Sequence, residues 1–282
     1  MLGPVIGMPV EIGLEMYAEK PPTLPPFTGH VARGLLLHVF REVDPTLSGL
    51  LHELDASKPY SVTPLRFRKL RRTPEGLVLD PSHPCRVGFR LLKDDLARHV
   101  IDFVQKRSTV MVRDAQFCIA HLTLRSATYR ELLEEARPTS RITILYRTPT
   151  YLASLGSGYH WMFPDPVRVF SHLMRGWNRF TDHRPFTKEE YTGYRDWLGR
   201  SLGVAAYRLQ TRMAVMRAKK AAGFVGWVAY ELKDLESPWS SVTVALARYA
   251  EFANVGGNRT GGFGVVKLLE RETTSDRGRL DG

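Results

Sequence analysis

The chain has 282 residues, of which 43% are hydrophobic and 10% aromatic, so it is long and apolar enough to bury the cores of about two domains. This composition excludes a disordered chain and a fibrous repeat. A net charge of +11 favours a polyanionic partner over an acidic small metabolite. The two cysteines, Cys85 and Cys118, are far apart, which predicts a reduced, cytoplasmic protein without a disulfide framework or a thiolate zinc site.

Patterns in the first half predict a β-α-β-β-α-β order with additions. Residues 10–16 alternate apolar and polar side chains, as a half-buried strand does, and residues 28–43 and 45–54 have the three- and four-residue apolar spacing of helices. The expected elements that follow are strands at 59–67, 76–79 and 86–91, a helix around 96–104, and strands at 109–113 and 117–124. Residues 1–16 lack the pattern of a signal peptide or of a membrane-spanning helix.

The same order restarts after a polar, charge-dense segment at 125–140. That segment predicts a boundary between an N-terminal domain at 1–130 and a C-terminal domain at 140–272. The elements expected in the second half are a strand at 141–146, helices around 170–177 and 189–202, a hairpin of 203–219 and 224–232, a helix around 242–250 and a strand at 265–269. Residues 273–282 are expected to form a flexible tail.

The sharpest local motif is a glycine-rich segment between the last predicted helix and the last predicted strand. It reads Val-Gly-Gly-Asn-Arg-Thr-Gly-Gly-Phe-Gly over residues 255–264. Glycines let a backbone approach a phosphate closely and present N–H groups to it. The segment lacks the Lys-Ser or Lys-Thr ending of a nucleotide-binding P-loop and leads out of a helix, so a helix C-cap and turn explains it equally well.

This motif and its context resemble the Cas6 family of CRISPR repeat-processing endoribonucleases. Gly-Phe-Gly-Val-Val at 262–266 resembles the end of the family's C-terminal loop, and Gly-Phe-Val-Gly-Trp-Val at 223–228 resembles its other C-terminal signature. Phe-Pro-Asp-Pro at 163–166, preceded by Thr-Pro-Thr at 148–150, is a third match. Together the three matches cover most of the second half.

The resemblance implies an α+β fold of two tandem ferredoxin-like (RRM-like) domains and metal-independent cleavage of CRISPR repeat RNA. The expected products end in a 2′,3′-cyclic phosphate and a 5′-hydroxyl, as in crRNA maturation. The implied partner is precursor crRNA, and other CRISPR effector subunits are further candidates. The protein is expected to act as a monomer or homodimer, without a cofactor and away from membranes.

Candidate catalytic residues also come from the resemblance. His52 and Lys58 match a family histidine and lysine, and His38 stands where some relatives carry a tyrosine. Cleavage without a metal needs a base for the 2′-OH, an acid for the departing 5′-oxygen and positive charge beside the transition state. The helical phase predicts that His52 faces outward. His38 lies on an apolar stripe, where a buried structural histidine fits nearly as well as a catalytic one. Which imidazole is the base and which the acid stays open.

The candidate RNA-binding residues combine the glycine-rich segment with clustered arginines. Arg66 and Arg68 are expected on one face of a strand, where they suit phosphates. By resemblance, arginines of the second hairpin and of the glycine-rich segment also contact the RNA backbone. The full set is Gly256, Gly257, Asn258, Arg259, Gly262, Gly264, Arg66, Arg68, Arg208, Arg212 and Arg217. The other seven histidines, His30 among them, are dispersed without ligand spacing, so no metal site is expected.

Two other functions fit parts of the sequence. A non-cleaving RNA-binding subunit of a CRISPR effector complex would share the glycine-rich segment but would not require the pair His52 and Lys58. A general RRM-type protein is disfavoured, because the sequence lacks the aromatic Lys/Arg-Gly-Phe/Tyr strand motif on which RNA bases stack.

Overall fold

The computed structural model describes residues 7–53, 57–153, 158–181, 183–216 and 220–269, without the side chains of residues 50, 52 and 53. The expected tail at 273–282 therefore lies outside the described residues. No helix in the described ranges is long and apolar enough to cross a membrane. Cys85 is buried, Cys118 is exposed, and both are free thiols.

The described part of the first half forms eight strands and three helices. They are β1 (Val10–Ala18), β2 (Thr23–Leu24), α1 (Gly29–Val43), α2 (Pro45–Glu53), β3 (Tyr60–Val62), β4 (Lys69–Thr73), β5 (Gly76–Leu79), β6 (Cys85–Leu91), α3 (Asp94–Lys106), β7 (Thr109–Val112) and β8 (Ala115–Ser126). The main sheet has the order β3-β6-β1-β8-β7, and every pairing in it is antiparallel. With α1 and α3 as its helices, the set β1, β3, β6 and β8 is a ferredoxin-like unit whose first and third strands are central.

β1 shows why this sheet has one covered and one open face. Ile12, Leu14 and Met16 are buried under the helices, while Glu11 and Glu15 point to the other side. This alternation confirms the strand that the sequence predicted.

The second half repeats the arrangement. Its elements are α4 (Tyr129–Glu134), β9 (Arg141–Thr150), α5 (Pro166–Phe180), α6 (Lys188–Ser201), β10 (Leu202–Val215), β11 (Lys220–Leu232), α7 (Pro238–Ala253), a 3₁₀ turn (Arg259–Gly261) and β12 (Val266–Leu269). The antiparallel sheet has the order β10-β11-β9-β12. Trp177 of α5 and Tyr249 of α7 are fully buried in its core and contact each other edge to face. The fold of two tandem ferredoxin-like units is therefore confirmed.

The strand predicted at 59–67 is wrong in extent. Only Tyr60–Val62 pairs in the main sheet, and Arg66 makes an isolated bridge to Arg86. Pro64 has no N–H to donate to a ladder, which explains why the strand stops early. Arg66 and Arg68 therefore do not share the face of one strand.

A small third sheet, β2-β5-β4, was not predicted in this form. β4 covers the Lys- and Arg-rich residues between the strands expected at 59–67 and 76–79, and its residues are almost all exposed. The expected strand at 76–79 pairs here instead of in the main sheet. The predicted boundary at 125–140 also contains α4, which begins with a capping box between Thr128 and Glu131.

Candidate functional site

The glycine-rich loop, residues 255–264, follows α7 and packs between the two ferredoxin-like units. Gly262 and Gly264 have φ values of 80° and 67°, in the left-handed region that favours glycine. A Cβ atom at Gly264 would collide with the carbonyl oxygen of Val255, and one at Gly262 would lie 2.9 Å from the Cα of Gly29. These glycines are required because the loop folds back on itself and touches the start of α1.

Most of the loop's backbone donors are used inside the protein. The N–H groups of Gly257 and Gly264 donate to carbonyl oxygens of Tyr151 and Pro149, and that of Gly262 donates to Arg259 within the loop. The structure thus does not support phosphate binding through the N–H groups of these three glycines. For Gly256 and Asn258 such contacts stay a prediction.

Arg259 links the loop to two other segments. Its Nη1 donates to the carbonyl oxygen of Ala253 at the end of α7 (2.8 Å), and its Nη2 donates to Oγ of Ser57 (2.7 Å). Burial lowers the pKa of this guanidinium from its ordinary value, and an arginine stays protonated in proteins. The loop is therefore anchored to the segment just before β3, where Lys58 follows Ser57.

Sequence patterns set His30 aside, but the structure places it beside the loop. His30 is the second residue of α1 and is exposed. The preceding residue, Gly29, packs directly on the carbonyl of Gly261, so a Cβ atom there would collide with it. The first turn of α1, the Ser57–Lys58 segment and the loop thus meet at one place. The sequence feature that could have pointed to His30 is its position at the start of a predicted helix. Metal-ligand spacing, the criterion applied to it, is not relevant to a proton-transfer role.

The other two catalytic candidates differ in how much the structure says about them. His52 lies in the last turn of α2, and its side chain is outside the described residues. His38 is half-buried, accepts a hydrogen bond at Nδ1 from Nη2 of Arg41 (3.2 Å) and contacts the ring of Phe103 on α3. It lies about 12 Å along the axis of α1 from His30. The structure thus separates His38 from the glycine-rich loop.

A basic cleft of about 1000 Å³ lies between the open face of the first sheet and the β9–β10 side of the second. Arg66 and Arg212 line it, together with Arg86 and Arg147. Arg208 is exposed and, four residues before Arg212 on β10, lies on the same face of that strand.

The structure does not show the remaining two arginine candidates, Arg68 and Arg217, lining this cleft. Arg68 is exposed, but it donates to Nε2 of His83 (2.7 Å) and lies 3.8 Å from a carboxylate oxygen of Asp80. Arg217 lies outside the described residues.

A network of ion pairs lines part of the cleft through Glu11, Arg90 and Arg125. Glu11 accepts from Arg90 (3.1 Å) and Arg125 (2.8 Å), and Arg125 also donates to Glu251 of α7 (2.9 Å). Burial raises the pKa of Glu11, but the two guanidinium groups more than offset this, so the net shift is downward. These ion pairs connect the first sheet to α7 of the second unit.

Asn254, directly after α7, is a second connection between the units. It is fully buried, with its Oδ1 accepting from Nη1 of Arg90 (2.7 Å). Its Nδ2 donates to the carbonyl oxygens of Val62 (3.2 Å) and Phe263 (3.0 Å). One side chain thus joins β6, β3 and the glycine-rich loop.

The described residues include no group of three or more His, Cys, Asp or Glu side chains that could hold a metal ion. What the site offers is imidazole, ammonium and guanidinium groups around a rigid loop, beside a basic cleft. Such groups can transfer protons and stabilise a polyanion.

The fold class is two tandem ferredoxin-like units with a basic cleft, and comparison with known proteins shows which family it resembles. Residues 144–266 match the family model described as CRISPR-associated endoribonuclease Cas6. No curated protein matches the chain significantly. The resemblance to the Cas6 family is thus confirmed, by the sequence pattern in the second half and by the fold in both.

Solved structures share the fold over nearly the whole chain. A Cas6 product complex is 23% identical, with a TM-score of 0.77, and the match covers 93% of this chain and 100% of that one. Cas6 of Thermus thermophilus gives 23% identity and a TM-score of 0.70, covering 93% and 99%. A Cas6-related protein of Pyrococcus furiosus gives 11% identity and a TM-score of 0.61, covering 94% and 100%.

Proposed function

We propose that this protein is an endoribonuclease that binds CRISPR repeat RNA and cleaves precursor crRNA within the repeat. The attacking group is the ribose 2′-oxygen, which forms a bond to phosphorus while the bond to the 5′-oxygen breaks. The products are a 2′,3′-cyclic phosphate and a 5′-hydroxyl. The family match and the product-complex structures with the same fold support RNA processing as the activity.

One observation carries the proposal: the first turn of α1, the Ser57–Lys58 segment and the glycine-rich loop meet at one place. In our assignment, His30 and His52 perform the two proton transfers, one removing the 2′-proton and the other protonating the 5′-oxygen. Lys58 stabilises the extra negative charge on the phosphorane-like transition state. No step in this scheme uses a metal ion.

This assignment replaces the earlier candidate His38 with His30. His38 is held by Arg41 and by the ring of Phe103, about two helical turns from the loop. His52 is five residues before Ser57, so its backbone lies at most about 18 Å from the serine that Arg259 holds. We assign Arg66, Arg208 and Arg212 to the phosphates of an RNA segment in the basic cleft.

Cleavage of the host's repeat RNA in excess EDTA tests the proposal. The intact protein should cut one phosphodiester, and replacing that ribose by 2′-deoxyribose should abolish the cut. Under single-turnover conditions with saturating RNA, His30→Ala and His52→Ala should each slow cleavage about 10²- to 10⁴-fold. His38→Ala is the matched control on the same helix as His30 and should cleave at nearly the wild-type rate.

Three results would contradict parts of this scheme. Tight binding without cleavage by the intact protein would make it a guide-RNA-holding subunit. Cleavage that stops in EDTA would remove the metal-independent mechanism. Loss of cleavage in His38→Ala but not in His30→Ala would return the proton transfer to His38.

A further inference from the structure

A second cavity, of about 430 Å³, borders the glycine-rich loop at Arg259. One wall is a face of α5 that carries His172, Arg175, Gly176 and Arg179, which follow each other at helical spacing. The rest is formed by the end of α7, Ser57 and Arg259. The cavity therefore adjoins the segment that carries Lys58.

We propose that this cavity binds a phosphodiester group of the RNA strand next to the one that is cleaved, through Arg175 and Arg179 with Arg259 behind them. This inference rests on the proposed function and names a binding site within it. The site lies on α5 and is separate from the arginines of the basic cleft.

The charges around the cavity carry the argument. Of the lining residues that the structure describes, three carry a guanidinium group and none is acidic. Among the described residues, Arg179 has no hydrogen bond or ion pair, and Arg175 has one donor engaged, Nη1 to the hydroxyl of Tyr191 (2.9 Å). By contrast, Arg90 and Arg125 are paired with carboxylates. A concave site with uncompensated positive charge attracts anions, and a guanidinium can bind phosphate through two N–H groups.

Two neutral donors complete the cavity. Burial lowers the pKa of His172 to about 3, with further lowering by Arg259 and Arg175, so its imidazole is neutral at ordinary pH and can donate one N–H. Ser57 accepts from Arg259 through Oγ, which leaves its hydroxyl proton available to donate. This set of donors suits the unesterified oxygens of a phosphodiester. No exposed aromatic side chain lines the cavity to stack on a base.

The position of the cavity selects the phosphate. Ser57 lines the cavity, and Lys58 is the next residue in the chain. An RNA strand whose reactive phosphate lies at Lys58 therefore passes close to the cavity. Arg259 connects the cavity with the Lys58 segment, because it lines the cavity and donates a hydrogen bond to Ser57. The expected ligand is therefore the RNA backbone, bound without regard to base identity.

Salt dependence of repeat-RNA binding tests the inference. The variants are the double substitution Arg175→Gln with Arg179→Gln and a charge-matched control, Arg130→Gln with Arg200→Gln. Both control arginines are exposed, and neither lines a cavity described above. The plot of log K against log salt should become less steep by about one unit for each lost phosphate contact, hence by about two for the α5 variant. The control should keep the wild-type slope.

Single-turnover cleavage separates this inference from the proposed function. If the intact protein does not bind repeat RNA, the proposed function fails. If it binds and cleaves but the α5 variant keeps the wild-type slope, or the control loses as much slope, the phosphate site alone is overturned. Arg179→Lys, which keeps the charge, should retain more of the slope than Arg179→Gln, and equal slopes would contradict the site.

Discussion

Replacing Asn254 by alanine should cost this protein more stability than most single substitutions. The side chain is fully buried and joins β6, β3 and the glycine-rich loop through three hydrogen bonds. Alanine cannot replace these bonds, and water cannot easily reach the groups left behind. The substitution should therefore loosen the contact between the two ferredoxin-like units.

The magnitude follows from the three bonds. The bond from Arg90 involves a charged donor and contributes about 1.5–3 kcal/mol, and the two neutral bonds contribute about 0.5–1.5 kcal/mol each. We therefore expect a loss of about 4 kcal/mol in the free energy of unfolding, or a drop of about 10 °C in Tm. Asn254 also has φ 57° and ψ 167°, a conformation that favours glycine. Asn254→Gly should accordingly lose about 1 kcal/mol less than Asn254→Ala.

Urea denaturation followed by tryptophan fluorescence measures the loss. Asn258→Ala is the matched control, because Asn258 also has a positive φ, lies in the same loop and makes no side-chain cap hydrogen bond. The control should lose about 1 kcal/mol or less. If Asn254→Ala were no less stable than Asn258→Ala, the three buried hydrogen bonds would not hold the units together as argued.

Three further predictions concern the loop, a helix cap and pH. Gly264→Ala should lower the free energy of unfolding by more than about 1 kcal/mol, because φ is 67° and the new Cβ would meet the carbonyl of Val255; a chemical denaturation curve like that of the wild type would contradict this. Thr187→Ala should cost about 1 kcal/mol in the same assay, because Thr187 and Glu190 form a capping box at the start of α6. His172→Gln should gain in Tm relative to the wild type as pH falls from 7 to 4. The folded protein holds the pKa of His172 at about 3, so below about pH 6.5 protons bind preferentially to the unfolded chain; parallel Tm profiles would refute this.

Local patterns predicted most of the fold. The alternation in β1, the helical stripes of α1 and α5 and the β10–β11 hairpin are all present within a few residues of the expected ranges. These elements each bury one face, so their sequence period reports their structure directly. The strand expected at 59–67 failed because a proline ended its pairing, and the basic stretch after it formed a separate sheet.

The candidate site was harder to predict, because it depends on contacts between distant segments. His30 became a candidate only when the structure placed Gly29 on Gly261, more than 200 residues away. The glycine-rich motif stays a predicted RNA-binding segment; its glycines allow close packing, and most of its N–H groups bond within the protein. The motif therefore indicated where to look for a candidate site, while the contacts of its residues became visible only in the tertiary structure.

In the proposed scheme one RNA strand contacts both the basic cleft and the smaller cavity on α5, and the region of the glycine-rich loop borders both. Its C-terminal end borders the basic cleft through Val265, and Arg259 borders the smaller cavity on α5. A strand bound in both must pass the loop, where the first turn of α1 and Lys58 lie. Because Asn254 fixes the loop to both units, a change there should weaken RNA binding at both surfaces together. Changes to Arg179 or Arg212 should each affect only one.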